Sequence, residues 1–241
     1  GADFGQLLKT LAEDTDIARI RYTTSHPKDF NQELVDISQR YRSKICDYIH
    51  LPAQSGNTEV LKRMNRGYSR EEYLDKVKMI REGIPGVVLS TDLIVGFPGE
   101  TEAQFEDTYS LIEQVRYDNI YAFKYSPRPF TKAARFDDQI PEDEKSRRLD
   151  LLLKTQREIS FELGKRYDGQ ICETLFEAKS DVEGQIQGRT THNKLVYCYA
   201  PESLIGQTVP VKVLKAFPSV LRCELVAGSA AATARDGALS L

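Results

Sequence analysis

The 241 residues carry a formal net charge of −3, which excludes a general charge signature of nucleic-acid binding while leaving room for a local basic patch. Length and an ordinary apolar fraction allow one large domain plus a small one. Four scattered cysteines do not make a disulfide framework and suit a reducing cytoplasm, and no run of about 18 apolar residues offers a membrane span.

Strand and helix signals alternate through the first half, which argues for βα units around a parallel sheet. Residues 3–13 read as a helix, 17–22 as a strand, and 28–42 as a helix with Phe30, Leu34 and Ile37 on one side. A strand at 46–51 is followed by helical segments at 58–64 and 69–81. Ser69 with Glu72 makes a capping-box candidate. The apolar run 87–95 then ends in Gly96-Phe97-Pro98-Gly99, and Thr101 with Gln104 offers a second capping box for a helix over 102–115. Gly96 and Gly99 let backbone approach a ligand closely, because they lack a Cβ. A strand at 119–125 completes this half. Four strands are thus expected, and the polar stretches after them are laid out like the rim of a barrel-type active site.

Pro141 and the acids behind it open a long helix, since proline suits the first position and carboxylates suit the positive end of the dipole. The helix should end near Asp168-Gly169. From 171 onward five short strand-like runs (171–177, 184–189, 195–198, 209–216 and 220–226) suit a small antiparallel barrel of the OB-like kind. The Ala/Ser/Gly-rich stretch 228–241 reads as a disordered tail. Division at 165/166 is expected, giving 1–165, 166–227 and the tail.

These segments resemble the radical S-adenosylmethionine (SAM) methylthiotransferases, and the branch acting on isopentenylated adenosine 37 of tRNA in particular. The matching stretches are TTSHPKDF (23–30), HLPAQSG (50–56), LKRMNRGYSREEY (61–73), TDLIVGFPGETE (91–102) and FKYSPRP (123–129). GRTTHNK (188–194) and LIGQTVPVKV (204–213) resemble that family's TRAM domain. The resemblance implies an α/β fold: the C-terminal part of a partial TIM-like barrel, followed by a small OB-like barrel. It also implies a cytoplasmic transferase whose cofactors are SAM and two [4Fe–4S] clusters. Expected partners are a tRNA anticodon stem-loop and an electron donor such as flavodoxin.

Site residues follow from the same resemblance. Gln54 and Ser55 fall in the SAM pocket, with Gly56 leaving space beside them. Ile94 and Phe97 flank the adenine, Ser25 meets SAM or substrate at the rim, and Asp92, if its side chain points into the barrel, needs a partner for which SAM, Arg or Lys could serve. Arg66, before Gly67, is favoured over Arg63 for the SAM carboxylate, because an arginine can hold a carboxylate with two parallel bonds; a solvated charge is the alternative. His50 reads as a packed or hydrogen-bonded histidine more readily than as a ligand, and His26 before Pro27 fits a turn equally well. For RNA, Tyr125 offers a ring to stack on a base and Arg128 a cation for a phosphate. Arg189, Thr191, Asn193 and Lys194 form a polar loop suited to an RNA backbone, and on composition alone a solvated hairpin. His192 departs from the family's usual Arg or Lys, and Phe130 stands where the family usually has Gly. No catalytic residue is assigned.

The family's cluster motif is absent, and Cys46, Cys172, Cys198 and Cys223 match none of its spacings. The chain, which begins with Gly, therefore reads as the C-terminal part of a larger protein, binding neither cluster and inactive alone. Missing strands would leave an apolar edge at 17–22, open to self-association. The sister branches acting on threonylcarbamoyl-adenosine in tRNA or on ribosomal protein S12, and a non-catalytic RNA-binding module, are the alternatives.

Overall fold

A computed structural model describes residues 3–23 and 26–227. Ser25 and the tail at 228–241 lie outside the described residues. Contacts divide the chain into two compact units, Gly1–Ile159 and Ser160–Leu241.

In the first unit, local signals set most helix ends. Asp3 accepts from the Gln6 amide and starts α1 (Phe4–Asp14). The helix expected over 28–42 divides: Pro27–Asp29 is a 3-10 turn, and Asn31 accepts from the Leu34 amide to start α2 (Gln32–Arg40). There follow β1 (Tyr48–His50), α3 (Thr58–Arg63), α4 (Arg70–Gly83), β2 (Val88–Val95), α5 (Glu102–Val115), β3 (Asn119–Lys124) and the long α6 (Glu142–Gly164). Both capping boxes are formed: Ser69 with Glu72 on α4, and Thr101 with Gln104 on α5. Each satisfies two helix-start amides reciprocally.

The sheet is parallel, in the order β1-β2-β3. The strand expected at 17–22 is not formed; a single parallel bridge, Ile20 to Ile45, stands in its place. A strand is defined by its ladder, and beyond that bridge the stretch pairs with no neighbour among the described residues. Ile20 is buried and Ile17 is 41% exposed. One face of the sheet carries Ile49, Leu89, Leu93, Val95 and Ile120, which join Tyr73, Val77, Ile80, Phe105 and Ile112 in the main core. By strand alternation the other face carries Tyr48 and His50, then Ser90, Asp92 and Ile94, then Tyr121 and Phe123. Tyr121 and Phe123 are exposed there.

The second unit holds β4 (Ile171–Lys179), β5 (Gln185–Thr190), β6 (Leu195–Tyr199), β7 (Thr208–Ala216) and β8 (Val220–Leu225) in a closed barrel, β4-β5-β6-β8-β7. Its neighbours pair antiparallel, except that β6 and β8 close it as a parallel pair. Phe176, Val196, Val211 and Val213 fill the interior, and closure removes strand edges.

Candidate functional site

The polar rim of the first unit begins where β1 loses its ladder. After His50 pairs with Ser90, the next bridge joins Gln54 to Leu93, so one extra residue bulges out. Gln54 takes up the turn with a φ of 67°, a left-handed conformation that a side chain makes uncommon. Neighbouring groups hold it there. The Thr91 hydroxyl accepts from the Ala53 amide and donates to the Leu51 carbonyl, each at 2.8 Å. Tyr73 donates to Leu51 and Tyr68 to the Ala53 carbonyl. Burial pushes the Tyr68 hydroxyl up to about 12, so it stays a donor. The rim backbone is therefore fixed before any ligand arrives.

Gln54 lies at this bulge, buried. Ser55 is turned elsewhere than expected. Its hydroxyl lies 3.3 Å from that of Thr108 on α5 and accepts from the Asn57 amide. The space expected beside Gly56 is filled by the backbone of α5: a Cβ there would lie 2.5 Å from Thr108 Cα.

Beside this rim, the inner face of the sheet carries a chain of polar groups. Tyr48 Oη lies 2.6 Å from Ser90 Oγ, which lies 2.8 Å from His50 Nδ1. His50 Nε2 is 3.3 Å from Asp92 Oδ2. The neighbour of Asp92 on this face is thus His50, which the sequence reads as a packed or hydrogen-bonded histidine without naming its partners. The register His50↔Ser90, with Asp92 two residues on along the same face, is the signal that finds it. Ile94 lies next on that face, paired with Phe123 across the sheet.

The β2–α5 turn is fixed from within. Glu100, 2% exposed, accepts from the Gly96 amide at 2.7 Å and from Arg148 at 2.8 Å. Burial raises its carboxyl above the ordinary range, against the pull of the Gly96 amide and Arg148. Gly96 and Gly99 both have positive φ. Phe97 is buried, edge-on to Tyr125 at 5.1 Å and to Phe136 at 6.4 Å. It belongs to the turn's own packing rather than to an open slot; Ile94 remains on the inner face.

Arg63 is engaged with both oxygens of Asp138 and lies over Phe136. Arg66, half-buried, makes no side-chain hydrogen bond or ion pair with the described residues and lies close enough to act on the Tyr68 hydroxyl. At the end of β3, Tyr125 packs on Phe97 with Lys145 over its ring, so the ring expected to stack on a base is engaged internally. Arg128 is exposed. Phe130 has a φ of 69° and is 96% exposed; this is the backbone conformation a glycine holds without strain.

In the second unit, residues 190–194 form a tight hairpin turn. The Asn193 amide bonds the Thr190 carbonyl, with φ 59° at Asn193. Arg189 reaches Glu177 at 3.6 Å and the Asn193 carbonyl at 3.4 Å. Lys194 is not the free cation expected. It is 7% exposed, with its ammonium 5.8 Å from the Tyr167 ring centre, and His192 meets that ring edge-on. Thr191 is half-buried.

The described residues do not fit an iron–sulfur cluster. Cluster ligands are thiolates, whereas burial pushes Cys198 up to about 11 and Cys223 up to about 12. No group of three or more His, Cys, Asp or Glu side chains among the described residues could hold a metal ion. SAM is different: a carboxylate, an apolar wall and a preformed rim fit a nucleoside-bearing cation.

Comparison with known proteins agrees with this layout. The Radical SAM superfamily matches residues 1–112 and the TRAM domain matches 165–226. A solved structure, coproporphyrinogen III oxidase from Escherichia coli, described as a radical SAM enzyme, shares the fold: TM-score 0.50 and 21% identity, over 86% of this chain and 48% of that one. Fold and site thus define an α/β radical SAM protein with a TRAM domain.

Within that class the chain is similar in sequence to tRNA-2-methylthio-N(6)-dimethylallyladenosine synthases. That of Bdellovibrio bacteriovorus is 54% identical over 94% of this chain, and one from Clostridium botulinum 47% over 88%. The chain thus resembles these synthases along most of its length, with Radical SAM and TRAM domains. It spans about half the length of these relatives: 50% of the first and 47% of the second.

Proposed function

We propose that this chain works within a tRNA methylthiotransferase that adds a methylthio group at C2 of N6-isopentenyladenosine 37. The observation that carries the reading is the 54% identity with the Bdellovibrio bacteriovorus synthase over 94% of the chain. The target carbon is neither acidic nor electrophilic enough for polar chemistry. Bound SAM, with [4Fe–4S] clusters held outside the described residues, supplies radical reactivity and the methyl group.

This chain's own residues bind and orient. Gln54 on its fixed rim and Asp92 on the inner face receive polar groups of SAM, Ile94 lies against the adenine, and Arg66 holds the SAM carboxylate. Arg128, Arg189, Thr191 and Asn193 contact tRNA, chiefly its backbone. The reading includes a flavodoxin-like electron donor, a cytoplasmic location, and self-association beside the lone Ile20–Ile45 bridge. The domain bounds 1–165 and 166–227 remain its functional division.

The test is to offer the complete protein SAM, a reductant and an isopentenylated anticodon stem-loop, and to measure methylthio gain by mass spectrometry. Gain on a threonylcarbamoylated stem-loop or on ribosomal protein S12 instead would overturn the branch assignment. Gain on none of them would favour a non-catalytic RNA-binding module.

A further inference from the structure

His50 is held at both ring nitrogens. Nδ1 faces Ser90 Oγ at 2.8 Å, and Ser90 is itself fixed by Tyr48 at 2.6 Å. Nε2 faces Asp92 Oδ2 at 3.3 Å. His50 is 8% exposed, and its ring sits edge-on to Tyr121, with centroids 5.8 Å apart. It has little freedom to swing away. A carboxylate offers only acceptors, so the tautomer this pairing calls for is the one with its proton on Nε2. Asp92 differs in being partly open: 32% of its side chain is exposed. A carboxylate has about four acceptor sites, and His50 uses one. The remainder open onto a face that also carries Ile94, Tyr121 and Phe123.

We propose that His50 is a positioning residue: it fixes the Asp92 carboxylate so that its open acceptor sites meet a sugar hydroxyl or an ammonium group of an adenosine-bearing ligand lying against Ile94 and Phe123. The proposal rests on the reading that SAM binds this face. Left unpaired, Asp92 would sample several rotamers and present its charge in no fixed direction. Preorganising an acceptor removes that ordering cost from binding.

Two isosteric substitutions separate positioning from simple packing. In His50→Gln the amide nitrogen reaches the place of Nε2 and still donates to Asp92, while the contact to Ser90 is lost. In His50→Asn the shorter amide reaches the place of Nδ1, keeps Ser90 and abandons Asp92. Calorimetric titration of the complete protein with SAM should find His50→Gln within about threefold of wild type. His50→Asn and Asp92→Asn should each bind about tenfold more weakly or worse, with His50→Asn and His50→Gln melting alike. Equal losses in the two His50 variants, or none in either, would overturn the proposal.

Titration with 5′-methylthioadenosine, which has the sugar hydroxyls but no ammonium, and with methionine, which has the reverse, identifies the donor. The probe that loses affinity in Asp92→Asn carries it, and loss with neither contradicts the proposal. Should wild type fail to bind SAM, the SAM reading fails, and the pairing is judged separately by nitrogen-15 spectra of the imidazole. A protonated Nε2 whose resonance moves in Asp92→Asn is expected; an unmoved resonance would overturn the pairing itself.

Discussion

Gly56 leaves no room for a side chain. Its amide donates to Thr108 Oγ1 at 2.9 Å, and an added Cβ would lie 2.5 Å from Thr108 Cα and 2.8 Å from the Asp107 carbonyl carbon. Gly56→Ala must push the rim loop off α5, at a cost of roughly 1–3 kcal/mol. Urea unfolding measures this, and an unchanged midpoint would contradict the packing. At Arg66, loss of a charge-assisted contact to a carboxylate should cost about 1.5–3 kcal/mol. Arg66→Ala should therefore weaken SAM binding at least about tenfold, and unchanged affinity would move the role elsewhere. Residue roles were legible where the deciding partner is close in sequence and illegible where it is distant. Tyr125 and Lys194 look available on paper; Phe97 and Tyr167 occupy them. His50 and Asp92 lie 42 positions apart and meet only through the β1–β2 register.

At the scale of elements, α5 begins and ends where the sequence places it, Glu102–Val115, because its signals are local: a Thr101–Gln104 capping box in front and a left-handed Arg116 behind. Thr101→Ala should cost about 1 kcal/mol, measurable as a lowered denaturation midpoint; no change would mean that the box adds nothing. The strand at 17–22 was misread because a strand exists only through its neighbours, and Ile20 has one bridge. The link between α6 and the β2–α5 turn was invisible in the sequence, since Arg148 and Glu100 belong to separate elements. Arg148 donates to the Glu100 carboxylate and carbonyl from a site 4% exposed. Removing one partner of a buried pair leaves the other's charge unanswered, so Arg148→Ala should destabilise by roughly 3–5 kcal/mol. A loss under about 1 kcal/mol in the same unfolding assay would show that Glu100 is not charged there.

At the scale of the molecule, acid response joins two carboxylates whose proton affinities are shifted in opposite directions. Arg147, then Arg148, hold Glu144 down at about 2. Its contribution to stability is complete above the ordinary carboxylate value of 4.5 and is lost as pH falls toward 2. Burial raises Glu100, so its contribution instead grows as pH falls through its raised value. Glu144 and Arg147 are partly exposed, which makes the first effect modest and salt-sensitive. Glu144→Gln should flatten the loss of stability below pH 4.5 at low salt, and an unchanged slope would contradict that pairing.

The central claim, that this chain serves a tRNA methylthiotransferase, is tested most directly by mass spectrometry of tRNA nucleosides from cells lacking the complete gene and from cells with it restored. The account predicts that 2-methylthio-N6-isopentenyladenosine disappears and returns. Its persistence in the deletion strain would contradict the account.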